Sequence, residues 1–307
     1  MPIPRTNDIL DKLGTAKYFT SVDMFKGFWQ VPVRDEDIEK TAFITPSGLY
    51  EWLHMPMGRM NSGATFQAMM EEALAPLLWQ CVVVYIDDVF IFSNSFEEHL
   101  EHLDQVFDLL EKAGLKTRPD KTSICKTSVK VLGFIIDEEG IKPQENKVKK
   151  ILEAPVEKSK KGIMSFMGLV RYYERFIQGL SAMAKPLYLL LKKDADPSRD
   201  WGSEQDLAVE KLKEAFSSDL VLTKFDPPLP VLVQTDASNF ALGAIISHFE
   251  IINGKRIERP ILFASKTLNK HQLNYSVTEK ECLAVVWAMD QFRTMLLGKR
   301  FTLETDH

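Results

Sequence analysis

The stretch that decides the fold is Val82-Val83-Val84-Tyr85-Ile86-Asp87-Asp88-Val89-Phe90-Ile91-Phe92-Ser93. It contains two runs of β-branched and aromatic residues, the composition of buried strands, joined at two adjacent carboxylates. Aspartate is common in turns, so the pair has an ordinary structural interpretation. Two-residue hairpin turns favour Asn-Gly or Asp-Gly, however, and neighbouring carboxylates repel each other. A bound cation would remove both objections, so the hairpin is also a candidate metal site.

A third carboxylate occupies a comparable place upstream. Asp23 lies in Ser21-Val22-Asp23-Met24, inside a segment rich in aromatic and β-branched residues. Phosphoryl transfer to a 3′-hydroxyl uses two divalent cations about 3.5–4 Å apart. Mg²⁺ takes oxygen ligands, which carboxylates on different strands supply. Asp23, Asp87 and Asp88 are therefore candidate ligands of such a pair.

Helical and strand patterns alternate around the hairpin without a Gly-rich phosphate loop, which indicates an α+β fold rather than a doubly wound one. Pro46-Ser47-Gly48 predicts the turn of a second hairpin, between Thr41–Thr45 and Leu49–Leu53. Helices are predicted over Asp8–Lys17, over Ser62–Leu78 with Ser62 as the N-cap, and over Phe96–Ala113 with Leu100, Leu103, Phe107 and Leu110 facing inward.

The second half of the chain changes character. From Glu145 to about Ser217 the pattern is helical and rich in lysine, and prolines at 155, 186 and 197 divide it into separate helices. Strand patterns return at Val231–Thr235 and Gly243–Ile246, before a helix over Thr278–Met295 and a strand over Phe301–Thr305. These changes predict three domains, over residues 1–144, 145–217 and 218–307.

Composition excludes several classes of protein. The 307 residues are 45% hydrophobic and 26% charged, which is typical of a globular protein and not of a disordered one. The scattered Cys81, Cys125 and Cys282 form neither a disulfide framework nor a zinc motif, and they fit a reducing compartment. No apolar run of about 18 residues exists, so no membrane span is expected.

Charge is unevenly distributed along the chain. The net charge is −5, yet the segment Lys112–Lys161 has thirteen Lys and Arg against seven Asp and Glu. A basic segment in an acidic chain can neutralise phosphates, although the same pattern is also typical of a solvated helix face.

Tyr85-Ile86-Asp87-Asp88 belongs to an ordered series of motifs that extends over nearly the whole chain. The others are Pro4–Gly14, Asp23–Gln30, Thr41–Phe43, Met55–Gly58, Ala64–Gln67, Val131–Phe134 and Gly168–Ile177. In order and spacing the series resembles the reverse transcriptase and ribonuclease H region of gypsy-type long-terminal-repeat retrotransposon Pol polyproteins. We expect a piece truncated at both ends.

The resemblance implies a fold and an activity. The fold would be a palm with an antiparallel sheet, packed helices and partial fingers over 1–144, a helical thumb and tether over 145–217, and an incomplete ribonuclease H-like α/β domain over 218–307. The activity would be RNA- and DNA-directed DNA polymerisation. Two Mg²⁺ ions, with Mn²⁺ as a substitute, would be held by Asp23, Asp87 and Asp88.

Other residues acquire roles by the same resemblance. The nucleotide would be bound by Met24, Phe28, Met57, Gly58 and Gln67, with Phe28 as a steric gate against a ribose 2′-hydroxyl. Taken alone, Phe28 has the alternative interpretation of a core aromatic. Leu132 and Gly133 would hold the primer end, and the lysine-rich helices would contact phosphates.

A second group of carboxylates follows strands and a helix in the last third. Asp236 follows an apolar strand, Glu281 lies on a helix and Asp306 follows the final strand. Each alone is an ordinary surface carboxylate. Together they resemble the metal ligands of a ribonuclease H, and Glu281 matches that pattern better than Glu279 does. The resemblance implies two Mg²⁺ ions here and cleavage of RNA in RNA–DNA hybrids.

The sequence also departs from the family. Gly63 stands where the family usually has Pro, and Met57, Arg59-Met60 and Val131 replace its usual Phe, Leu-Lys and Phe. We expect these changes to affect affinity and fidelity more than chemistry. Most of the fingers and the fourth nuclease carboxylate are expected to be missing. This leaves an alternative open, a degenerate or domesticated fragment that binds nucleic acid without catalysis.

The expected partners are an RNA or DNA template–primer duplex, deoxynucleoside triphosphates and other segments of the same polyprotein, but no membrane. The expected location is the cytoplasm, including virus-like particles.

Overall fold

A computed structural model describes residues 3–14, 16–218 and 220–306. The chain divides into two compact units. The first comprises Met1–Leu132 with Ile136–Glu138, and the second comprises Gly133–Ile135 with Glu139–His307. The division expected between residues 217 and 218 lies inside the second unit, so the three-domain organisation stays a prediction.

The first unit is an antiparallel sheet with packed helices. Its elements are α1 (Thr6–Leu13), β1 (Tyr18–Asp23), β2 (Phe43–Thr45), β3 (Gly48–Tyr50), α2 (Ser62–Ala73), β4 (Val82–Tyr85), β5 (Asp88–Ser93), α3 (Phe96–Lys112) and β6 (Ser123–Lys126). The sheet has the strand order β4-β5-β1-β6, and β2 pairs with β3 in a separate hairpin.

One face of this sheet packs against α2 and α3. Side chains alternate across a strand, so Val22 and its neighbours on β4 and β5 point toward α2 and α3. Ser21 and Asp23 therefore lie on the opposite face. The buried cluster on the face toward these helices comprises Val22, Met24, Phe66, Met70, Leu74, Val82, Val84, Val89, Ile91, Leu103, Val106 and Leu110.

Three short strands, β7 (Val129–Val131), β8 (Phe134–Ile136) and β9 (Ile141–Pro143), lie where the chain passes from the first unit into the second. The second unit continues with a helical block and ends with a sheet. The block comprises α4 (Glu145–Glu153), α5 (Lys160–Tyr172), α6 (Leu180–Met183), α7 (Lys185–Leu189), α8 (Pro197–Asp200) and α9 (Ser203–Ala215).

The sheet of the second unit is mixed. This part of the chain comprises β10 (Val231–Ala237), β11 (Ala241–Ile252), β12 (Lys255–Thr267), α10 (Val277–Gln291), α11 (Arg293–Leu296) and β13 (Thr302–Thr305). The strand order is β12-β11-β10-β13, in which β13 pairs with β10 in parallel and the other pairs are antiparallel. Ala288 and Phe292 pack against Val231, Val233 and Ile246 to form its core. Within the described residues, no helix is long and apolar enough to span a membrane.

Several local expectations were wrong. Helix α2 ends at Ala73, not Leu78, because Pro76 disfavours helical backbone in the residue before it. Ser62 is not the N-cap: Asn61 precedes the helix, and the Ser62 hydroxyl donates to the Pro56 carbonyl at 3.2 Å. On α3, Leu100 is 49% exposed, because the buried stripe passes through Val106.

Two candidate carboxylate sites

The first group of carboxylates lies at one end of the main sheet. Asp23, at the end of β1, is directly opposite Asp88, at the start of β5. Tyr85 pairs with Asp88, so Ile86 and Asp87 form the two-residue turn between β4 and β5. The Met24 amide donates to the Asp87 carbonyl at 3.3 Å. Strand register thus brings the three predicted carboxylates to one sheet end.

The electrostatics of this group favour a cation. Burial and then the neighbouring Asp23 charge raise the pKa of Asp87. The pKa of the Asp88 carboxyl is raised too, although part of its surface is exposed. The largest cause is its partial loss of hydration, and the charges of Asp23 and Asp87 add to it. Lys121 offsets part of this repulsion, since its Nζ lies 3.7 Å from Asp23 Oδ2.

The donor set at the hairpin fits a hard divalent cation. Asp87 Oδ1 is buried and has no hydrogen-bond partner among the described residues. A buried carboxylate oxygen in that state is unfavourable unless a positive charge joins it. The three carboxylates do not, however, form a group in which one oxygen from each lies within 4.8 Å of the others; within the described residues that spacing occurs elsewhere.

That other group is the predicted nuclease set. Oxygens of Asp236, Glu281 and Asp306 all lie within 4.8 Å of one another. Asp236 is on β10 and Asp306 follows β13, its parallel neighbour, while Glu281 comes from α10. Glu281 is buried and accepts from the Ala237 amide at 3.2 Å. Glu279 instead completes a capping box with Ser276 at the start of α10.

The residues expected to bind the nucleotide are in different environments. Phe28 is half-buried and meets the buried Phe66 edge-on, with ring centroids 5.5 Å apart. Met24 is buried in the core. Met57 and Gly58 (φ +87°) are exposed and line a cavity of about 370 Å³ with Trp29, Phe43 and Trp52. Gln67 is fully buried, and its amide is bonded to the hairpin backbone.

The two residues expected to hold the primer end both have positive φ, 47° at Leu132 and 86° at Gly133. In the second unit, the Gly133 carbonyl accepts hydrogen bonds from the backbone amide of Gln144 at 3.0 Å and from the Tyr173 hydroxyl at 3.3 Å. Burial and then Tyr172 raise the pKa of Tyr173 to about 12, so this hydroxyl remains a donor at neutral pH. Sequence reasoning included Tyr173 in the Gly168–Ile177 motif but gave it no role, because only folding brings it to Gly133.

Some lysines of the helical block are exposed to solvent, and others are bonded within the protein. Lys147, Lys149 and Lys150 on α4 are exposed, although Lys149 lies 3.7 Å from Glu153. Lys160, at the start of α5, donates to the Lys192 carbonyl at 2.6 Å and so has a structural role. Exposed lysines on a short helix suit contact with phosphates.

Two residues near the hairpin were not singled out from sequence. Lys121 was counted only in the charge balance, although its Nζ lies 3.7 Å from Asp23 Oδ2. Gly27 is buried directly against the Asp87 carboxyl. The sequence contained a signal for both residues: Lys121 follows Pro119 by two residues, and Gly27 follows the candidate ligand Asp23 by four.

Two family models match the chain. Residues 1–136 match reverse transcriptase (RNA-dependent DNA polymerase), and residues 201–303 match an RNase H-like domain found in reverse transcriptase. The matches contain Asp23, Asp87 and Asp88 in the first case and Asp236 and Glu281 in the second.

Curated relatives and solved structures agree with these matches. The whole chain is 45% identical, over 306 residues, to the retrovirus-related Pol polyprotein from transposon 297 of Drosophila melanogaster, of which it spans 28%. It is 34% identical, over 317 residues, to that from transposon gypsy of the same fly, of which it spans 30%. A foamy viral protease-reverse transcriptase solved with double-stranded DNA superposes with a TM-score of 0.83 at 25% identity, covering 100% of this chain and 63% of that one. The chain therefore belongs to the reverse transcriptase and ribonuclease H region of gypsy-type retrotransposon Pol polyproteins.

Proposed function

We propose that this chain extends a primer on an RNA or DNA template with deoxynucleotides, and that its second unit cleaves RNA in RNA–DNA hybrids. The observation that carries the polymerase assignment is the register of β1 and β5. This register sets Asp23 opposite Asp88, with the orphaned buried oxygen of Asp87 in the adjacent turn. Family membership and the foamy viral structure solved with DNA support a nucleic-acid substrate.

In the proposed reaction, Asp23 and Asp87 would hold two Mg²⁺ ions, with support from Asp88 and the Met24 carbonyl. When bound, Mg²⁺ lowers the pKa of the attacking 3′-hydroxyl and stabilises the leaving pyrophosphate. The protein's own contribution is to keep these carboxylates close together despite their repulsion. Lys121, whose Nζ lies 3.7 Å from Asp23 Oδ2, would reduce that repulsion. Its positive charge would also attract the triphosphate of the incoming nucleotide.

Sugar selection would depend on Phe28. Its ring is braced edge-on by Phe66, so it cannot swing aside without disturbing the core. A rigid ring beside the sugar would exclude a 2′-hydroxyl by steric overlap. Met57 and Gly58, exposed at the neighbouring cavity, would contact the incoming nucleotide and its template partner.

The nuclease proposal depends on the convergence of Asp236, Glu281 and Asp306. Three carboxylate oxygens at that spacing, on two strands and a helix, suit Mg²⁺ in a hydrolytic site. The Ala237 backbone amide fixes Glu281 by donating a hydrogen bond to its Oε1. This ligand set is therefore preorganised before a cation arrives.

The test is primer extension on an RNA template with Mg²⁺ and deoxynucleotides, comparing wild type, Asp87→Asn and the exposed-site control Asp108→Asn on α3. We expect Asp87→Asn to lose about 10³-fold or more in rate and to stay folded, because the amide removes a repulsive charge. Asp108→Asn should behave as wild type. Equal extension by all three would contradict the metal assignment.

A second pair of variants, one in the site and one control, tests the proposed nuclease. Asp236→Asn should abolish cutting of a labelled RNA–DNA hybrid, whereas Asp290→Asn, an exposed change on α10, should not. Hybrid binding without extension or cutting by wild type would favour the alternative of a non-catalytic fragment.

A further inference from the structure

We propose that Gln67 is a positioning residue that holds the hairpin turn carrying Asp87, and that it does not bind the nucleotide. The proposal rests on the polymerase function for its catalytic consequence. Its structural part is independent of that function. The evidence is a set of hydrogen bonds, a buried amide and an unusual backbone angle, all within the first unit.

Gln67 reaches from α2 to both sides of the turn. Its Nε2 donates to the Val84 carbonyl on β4 at 3.0 Å, and its Oε1 accepts from the Ile86 amide in the turn at 2.6 Å. The second Nε2 hydrogen goes to Glu71, one helical turn along α2, at 2.8 Å. Reversing the amide would set its NH₂ against the Ile86 N–H, so the network permits one orientation only.

The hydrogen-bonding groups of the Gln67 side chain are already bonded within the protein. Gln67 is 0% exposed, and both amide hydrogens are committed to protein acceptors. A direct contact with substrate would require at least one of these buried bonds to break. A buried polar group left without its partner is costly, so the resting geometry opposes such a contact.

The turn itself needs support of this kind. Ile86 has φ +55°, a left-handed conformation that a β-branched residue adopts only under strain. Such backbone persists where its surroundings over-determine it. Gln67 fixes the amide of Ile86, and the Met24 amide fixes the carbonyl of Asp87, so the turn is held at both ends. Because Asp87 immediately follows Ile86, release of the amide would release the carboxylate.

The test uses Gln67→Met, which keeps the length of the side chain and removes both hydrogen-bonding groups. The control is Gln105→Met, at an exposed glutamine of α3. Amide exchange of Ile86, measured by NMR on protein without metal or substrate, should accelerate at least tenfold in Gln67→Met alone. Exchange at Val22, in the middle of the sheet, should not change.

Steady-state primer extension supplies the second readout. A positioning residue should lower kcat about 10²-fold with the KM for deoxynucleotide within twofold of wild type. Unchanged Ile86 exchange, or a raised KM at unchanged kcat, would overturn the proposal. Failure of wild type to extend primers would count against the polymerase function, while the exchange result would still decide the role in the hairpin.

If Gln67→Met does not fold, Gln67→Glu replaces it. Measured in mildly acidic buffer, where this buried carboxyl beside Glu71 is protonated, it keeps an acceptor toward the Ile86 N–H and one donor, so Ile86 exchange should stay within threefold of wild type. Fast exchange at Ile86 in that variant, with Val22 still protected, would contradict the proposed contact.

Discussion

Replacing Gly27 by alanine tests whether the Asp87 carboxylate is where the chemistry needs it. Gly27 is buried at the start of a short 3₁₀ turn, Gly27–Gln30. A methyl group on its Cα would lie 2.4 Å from Asp87 Oδ1, 2.7 Å from Cγ and 2.9 Å from Oδ2. All three distances are too short, and every atom involved belongs to the Asp87 carboxyl.

The size of the effect follows from these distances. An ordinary contact begins near 3.4 Å, so the carboxylate has to shift by about 1 Å. The displaced group is the mobile end of a side chain and not backbone, so the fold should tolerate the change. A misplacement of about 1 Å at a reacting group lowers rates by about 10²-fold, which corresponds to about 2.7 kcal/mol of activation free energy.

The assay pairs single-turnover primer extension with thermal unfolding. The matched control is Gly63→Ala, in which the added methyl would find its nearest neighbour, Ile86 Cδ1, at 4.0 Å. Gly63 lies in α2, where alanine should add about 0.5–1 kcal/mol of stability with no loss of rate. A folded Gly27→Ala enzyme with the wild-type rate would refute the reasoning, because its Asp87 carboxylate would be displaced without consequence.

Three further outcomes are expected. Burial lowers the pKa of His99 below its ordinary value of 6.5, so the free energy of unfolding is highest above pH 6.5 and falls as the pH drops below it. In urea unfolding at several pH values, His99→Gln should reduce this pH dependence, and the change His54→Gln at an exposed site should not. Gly140→Ala should destabilise the second unit by about 1–3 kcal/mol, because its methyl would lie 2.2 Å from the Leu222 carbonyl at φ +148°; unchanged calorimetric melting would contradict this. Phe28→Ala should admit ribonucleotides in primer extension, and unchanged sugar discrimination would assign Phe28 to packing alone.

The two carboxylate sites differ in how far they are organised without a cation. The nuclease oxygens already converge within 4.8 Å, and a backbone amide holds Glu281. At the hairpin, Asp87 and Asp88 have raised pKa values, and their oxygens do not converge with Asp23 at that spacing. We therefore expect the hairpin site to tighten when it binds Mg²⁺ and the nuclease site to change less.

Local pattern gave much of the secondary structure but missed some of its limits. The apolar runs around Asp87 and Asp88 became β4 and β5, and the Thr41–Leu53 segment became the β2–β3 hairpin, because β-forming runs bounded by turn residues are local signals. The inward face of α3 was misjudged at Leu100, since several stripes of that helix are apolar and only its neighbours decide which one is buried. The strand at Gly243–Ile246 was predicted too short for β11, and β12 was not predicted, because their pairing depends on a partner strand and not on local composition.

The sequence by itself determined the family, the α+β class and the list of candidate carboxylates, because ordered motifs and their spacing are properties of the chain. Tertiary structure alone decided which groups meet. The pairing of Asp23 with Asp88, the approach of Lys121 and the contact of Gly27 with Asp87 join residues distant in sequence, and strand register and packing set their distances. Gln67 illustrates the difference. The motif marked it as important, but only the fold shows that its side-chain amide is hydrogen-bonded to the backbone of Val84 and Ile86.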